Sequence, residues 1–144
     1  KNVSILKKYI KKADVKNVDV FKLGVADKQK TLYFDGTNGM AARESSEGDI
    51  VVECDSIDHI FEKVDCDHID FIKMDIEGAE YEALLGAKEV IKKFHPILAI
   101  CVYHKPEDYF EIPQLIKNLY DGYKLYFRHY ELSDEETVCY AIAE

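Results

Sequence analysis

Residues 69–80, IDFIKMDIEGAE, decide how this chain folds. Ile69 to Asp75 is a short, largely apolar run that suits buried extended backbone, and it ends on an acid. Glu77-Gly78-Ala79-Glu80 comes next, then a run with Leu84, Ala87, Ile91 and Phe94 on one helical stripe. Gly86 predicts a break of that run into two short helices, and Pro96 stops it. Residues 97–103, ILAICVY, are apolar throughout, which suits a strand covered on both faces by helices. Strand, helix and strand in that order require parallel pairing through a right-handed crossover.

Upstream, Ile5, Leu6, Tyr9, Ile10 and Ala13 recur at helical spacing. Val18 to Leu23 is a β-rich run ended by Gly24, and Thr31 to Phe34 is a second short strand. Asp35 to Asp49 carries Gly36, Asn38-Gly39, Ser45-Ser46 and Gly48 and reads as a loop. Ile50 to Cys54 is again extended, and Ser56 is placed to cap a helix bearing Ile57, Ile60, Phe61 and Val64. Downstream, a helix with Leu115, Ile116 and Leu119 is expected, with Pro113 in its first turn and Gly122 at its end. Lys124 to Tyr130 and Thr137 to Ala143 are the last strands. Only Glu131 to Glu136 separates them, too short for a crossover, so the final strand must run antiparallel. The sequence thus predicts one α/β domain over 1–144, a mostly parallel sheet closed by an antiparallel C-terminal hairpin.

The chain has 144 residues, 47% of them hydrophobic, enough for one globular core. Its net charge of −9 disfavours a nucleic-acid backbone or an anionic membrane as partner, because phosphates need clustered Lys and Arg. No apolar run approaches the roughly 20 residues of a membrane helix. Cys54, Cys66, Cys101 and Cys139 form no C-x-x-C pair and lie among apolar neighbours, so reduced, mostly buried thiols and a cytoplasmic setting are expected.

In open α/β sheets ligands bind outside the carboxyl ends of the strands. That edge carries Gly24, Val25, Ala26 and Asp27 after the first strand, and Asp75 with Glu77 after the central one. His104 and Lys105 come after the apolar strand, and His129 and Tyr130 after the next. Glu80 is explained by capping alone, as an acid in the first turn of a helix. Asp75 and Glu77 precede the helix and are harder to dismiss as caps.

FIKMDIEGAEYEALLGAKEVIKK resembles the signature of the FkbM-type methyltransferases. ILAICVYHKPED, YKLYFRHY and ETVCYAIA are similar to the segments C-terminal to that signature in the family, and LGVADKQKTLYF and IVVECDSIDHI also look familial. The resemblance implies a Rossmann-like, class I methyltransferase sheet of seven strands with the last reversed. It implies S-adenosylmethionine as cofactor and O-methylation of a hydroxyl on a sugar or secondary-metabolite small molecule. The cofactor's adenine end would lie near Gly24 to Asp27, with Asp75 beside it. His104 would be the first candidate for the base, Asp75 the second, and Glu77 would shape the pocket; no metal ligands are assigned.

The family opens with a strand, a glycine-rich turn, a helix and a second strand ending in an acid. This sequence has no G-x-G motif and begins at Lys1 inside a helical pattern. The expectation is a truncated domain, inactive alone. Its uncovered β edge at Phe71 to Met74 would be filled by another strand of the chain or by a second copy in a homo-oligomer. Two other classes compete: a metal-dependent phosphohydrolase using Asp75 and Glu77 for magnesium, and a non-catalytic interaction domain that retains the fold.

Overall fold

The computed structural model describes residues 2–34, 50–133 and 135–144. The first elements are α1 (Asn2–Lys12), β1 (Gly24–Val25), β2 (Lys30–Phe34), β3 (Ile50–Asp55), α2 (Ile57–Phe61) and β4 (Phe71–Met74). After them come α3 (Glu80–Leu85), α4 (Lys88–Phe94), β5 (Ile97–Cys101), α5 (Asp108–Leu119), β6 (Tyr123–His129) and β7 (Thr137–Ala143). The expected loop at 35–49 lies outside the described residues.

The fold is mixed α/β with two sheets, where the sequence suggested one. A three-stranded sheet has the order β1-β3-β2, and a four-stranded sheet has the order β4-β5-β7-β6. β4 pairs with β5 in parallel, Phe71 opposite Ile97 and Met74 opposite Ile100. β7 inserts between β5 and β6 and is antiparallel to both. β4, β5 and β6 therefore share one direction and β7 opposes them, as the short 131–136 connection requires. The chain divides into two compact units, Lys1–Gly24 with Leu32–Glu53, and Val25–Thr31 with Cys54–Glu144.

In the first unit α1 forms at the expected spacing but buries none of its residues. Val18 to Leu23 is not a strand: only Gly24 and Val25 join the ladder. Val18 and Phe21 remain 47% and 43% exposed. Extended propensity becomes a strand only where a neighbouring strand supplies backbone partners.

The second unit holds the main core. Leu98, Ile100 and Val102 of the β5 run have no exposed surface and join Leu84, Ile91, Ile112 and Ile116 from α3, α4 and α5. The alternate residues Ala99 and Cys101 face the other way, onto Val138, Tyr103 and Tyr140. Among the described residues helices pack against only one face of β5, which corrects the two-sided expectation; the second face carries a smaller cluster of strand and strand-end residues. The 80–94 run breaks at Gly86, and only glycine fits there, since a Cβ would stand 2.0 Å from the carbonyl oxygen of Ala26. Ser56 caps α2 by accepting from the His59 amide at 3.2 Å.

Pro113 lies inside α5, beyond its first turn. The helix starts early because the buried Asp108 carboxylate accepts the Lys105 amide at 3.2 Å. The amides of Phe110 and Glu111 already bond to the Glu107 carbonyl. β4 is an edge strand of its sheet, and Phe71 is 54% exposed. Among the described residues no strand of the chain fills that edge, contrary to one of the two expected outcomes.

Candidate active site

β4 delivers Asp75 just past its last residue, and the chain then turns sharply into α3. Glu77 and Gly78 both take positive φ, 59° and 91°. Such backbone costs a non-glycine residue about 1 kcal/mol, and it persists only where the surroundings impose it. Here the tightness is visible: a Cβ on Gly78 would lie 2.9 Å from Lys105 Cε and 3.5 Å from His104 Cβ. Lys105 donates from Nζ to the Gly78 carbonyl, tying the end of β5 to the turn.

Glu80, the first residue of α3, is wholly buried. Its Oε1 accepts the Ile76 amide at 2.7 Å, closing the turn ahead of α3 rather than capping one of the helix's own amides as expected. The same oxygen lies 3.1 Å from His104 Nδ1. The His104 side chain is 9% exposed, and its Nε2 is 3.5 Å from Asp75 Oδ1 and 3.8 Å from Glu77 Oε2. Three carboxylates thus surround one imidazole. Tyr103 stacks obliquely on the His104 ring, with centroids 4.2 Å apart, and donates from its hydroxyl to Asp75 Oδ1 at 3.1 Å.

Burial pushes the Asp75 carboxyl up, but the Tyr103 hydrogen bond, the Lys73 charge and the Cys101 thiol outweigh it and hold it below the usual range. Burial first, and Asp75 second, push the Cys101 thiol up to about 12. The Tyr103 hydroxyl is raised by the same two causes, so it stays a hydrogen-bond donor at neutral pH.

Beside this group lies a cleft of about 620 Å³ lined by Tyr103, Pro106, Tyr109, His129, Leu132 and Thr137 among others. Tyr103 belongs to both. Thr137 Oγ1 is held by His129 Nδ1 at 2.8 Å and by the Tyr109 hydroxyl at 3.2 Å.

The structure brings Asp75, Glu77 and His104 together, as their strand-end positions suggested, and adds Glu80 and Tyr103. Gly24 to Asp27 have other partners. The Ala26 amide donates to the Asp55 carbonyl at 3.0 Å, and Asp27 pairs with Lys30 at 3.2 Å. Asp75, Glu80 and His104 each offer a donor atom within 4.8 Å of the others, a set able to hold a metal ion.

Acids and an imidazole thus converge at the ends of parallel strands in a mixed α/β chain, the edge where open α/β sheets bind ligands. The chain belongs to the FkbM methyltransferase family: residues 7–127 match the Methyltransferase FkbM domain. It is similar to the crystal structure of the methyltransferase FkbM from Methylobacillus flagellatus KT, with a TM-score of 0.76 and 26% identity. That match covers 97% of this chain and 33% of the crystallised one, so the chain spans about a third of that relative. No curated protein sequence matches it.

Proposed function

We propose that the chain carries the acceptor side of an S-adenosylmethionine-dependent O-methyltransferase acting on a hydroxyl of a sugar or secondary-metabolite small molecule. The observation that carries this reading is the His104 ring, held between Glu80 on Nδ1 and Asp75 with Glu77 on Nε2, next to a cleft that shares Tyr103. Family membership supports it, and so does the common direction of β4, β5 and β6 with β7 reversed, the Rossmann-like pattern of class I methyltransferases.

The residues present fit the cofactor's chemistry: Asp75 offers a carboxylate, with a third of its side chain exposed, to a sulfonium cation. S-adenosylmethionine, when bound, supplies an electrophilic methyl group. A neutral hydroxyl is a poor nucleophile, so a base must take its proton as the new bond forms. His104 takes that role, with the buried Glu80 carboxylate facing its Nδ1 at 3.1 Å. The mostly apolar cleft positions the acceptor, with the Thr137 and Tyr103 hydroxyls as polar contacts. No helix among the described residues is long and apolar enough to cross a membrane.

The test is transfer of a deuterated methyl group to a panel of hydroxylated small molecules, read by mass spectrometry. In an enzyme that carries these residues together with a glycine-rich cofactor half, His104→Ala should lower turnover about 100-fold or more while donor affinity stays within a factor of a few. Equal turnover in parent and variant would remove His104 from the chemistry.

A further inference from the structure

We propose that Asp75, Glu80 and His104 form a binding site for one divalent first-row transition ion. Their donor atoms lie within 4.8 Å of one another and come from three segments fixed by the fold: the end of β4, the start of α3 and the end of β5. Glu80 and His104 are 0% and 9% exposed at the side chain, so they are held in place by packing.

Glu80 shows that something is owed to this group. Its Oε1 has partners, but Oε2 is buried and makes no hydrogen bond. A buried carboxylate oxygen without a partner has lost its water and gained nothing in return. His104 Nδ1 is also buried and lies 3.1 Å from Glu80 Oε1 without the alignment of a hydrogen bond. Two donors bound at about 2.1 Å to one ion stand about 3.0–3.4 Å apart, so this spacing suits neighbouring ligands.

Three carboxylates face the ring; Lys105 is engaged with the Gly78 carbonyl, and Lys73 offsets one of the three charges from Asp75 Oδ2 at 3.6 Å, which leaves the group anionic. Asp75 Oδ1 lies 3.5 Å from Nε2, the other ring nitrogen, so Asp75 joins an ion on the Glu80 side through a turn of its part-exposed carboxylate, which also opens a way in. Two carboxylate oxygens with one imidazole nitrogen are a mixed donor set that suits Mn²⁺ or Zn²⁺ better than Mg²⁺ or Ca²⁺. An imidazole bound through one nitrogen carries its hydrogen on the other. An occupied site therefore withdraws His104 from proton transfer, and the ion would hold the centre in check. The site itself rests on geometry, not on the methyl-transfer reading.

The probe is Mn²⁺, which has little affinity for thiols. The purified protein, stripped with chelator, is titrated with Mn²⁺ while the free aqua ion is followed by electron paramagnetic resonance. One bound ion is expected. Asp75→Asn and His104→Ala should each weaken it about tenfold or more, while Glu111→Gln, an exposed acid on α5, leaves it unchanged. Asp75→Asn alters a partly exposed side chain, so circular dichroism should show an intact fold and keep the comparison valid. Absence of a bound ion, or equal affinity in the parent and the two ligand variants, overturns the proposal. Binding is measured without methyl donor or acceptor, so that failure leaves the proposed transferase function standing.

Discussion

One oxygen of Glu80 closes the turn after β4, and the same oxygen faces His104. Sequence alone explains an acid in the first turn of a helix by capping, and that explanation conceals the second contact. Asp75, Glu77 and His104 were legible because strand ends can be located by pattern, whereas which side chains then meet depends on the turn. The two consecutive positive φ values at Glu77 and Gly78 aim Glu80 inward, and only the Gly78 half of that pair is signalled by residue type. The cysteines permit a test at this scale. Cys54, Cys101 and Cys139 are buried, and burial pushes the Cys139 thiol up to about 11, whereas Cys66 is exposed. Under native conditions at pH 8, iodoacetamide should modify Cys66 first, with the others reacting only on unfolding. Rapid native modification of Cys139 in peptide mapping would contradict the packing of β7 against β5.

At the scale of elements, β3 and α2 are fastened by a single buried carboxylate. Asp55 accepts from His59 Nδ1, Lys63 Nζ and the Ser56 amide, each at 2.9 Å, and from Gln29 at 3.3 Å. Burial pushes its pKa up, but the bonds from Lys63, His59, Ser56 and Gln29 overcome this and hold it far below the usual carboxylate range. A folded-state pKa below the unfolded value, about 3.9, gives stability that is present above about pH 4 and is lost as pH falls through the folded value. Asp55→Asn should therefore cost about 2 kcal/mol at neutral pH, and the cost should shrink as pH drops below about 4. Urea unfolding at about pH 7 and about pH 3 would check it; an equal loss at both would mean that charge is not what Asp55 contributes. Element positions with strong local signals, the Ser56 cap and the 137–143 strand, were readable in advance. The failures at 18–23 and at Pro113 share a cause: pairing partners for the first and the Asp108 carboxylate for the second are set by distant or non-periodic residues.

For the whole molecule, the direction of every strand in the four-stranded sheet could be argued from connection lengths, but the division into two sheets could not, since sheet membership depends on which edges meet. The same scale governs cofactor affinity. In the folds that bind nucleoside cofactors at a strand edge, a glycine-rich turn lets backbone amides approach the ligand, and an acid at the next strand end holds the ribose. The seven glycines of these 144 residues stand at 24, 36, 39, 48, 78, 86 and 122, with no G-x-G among them. Gly78 does come after a strand and open a helix, yet its surroundings are filled by Lys105 and His104. Asp75 offers one anionic contact, and of the Gly24 to Asp27 edge the Ala26 amide is taken by the Asp55 carbonyl while Asp27 pairs with Lys30. Each missing polar anchor is worth about 1 kcal/mol or more, and about 1.4 kcal/mol is tenfold in affinity. We therefore expect these 144 residues, assayed alone, to bind S-adenosylmethionine no tighter than about 1 mM in titration calorimetry. Micromolar affinity would show that backbone and side chains of this chain cradle the cofactor by a route other than a glycine-rich turn, and would direct attention to the amides around Gly78.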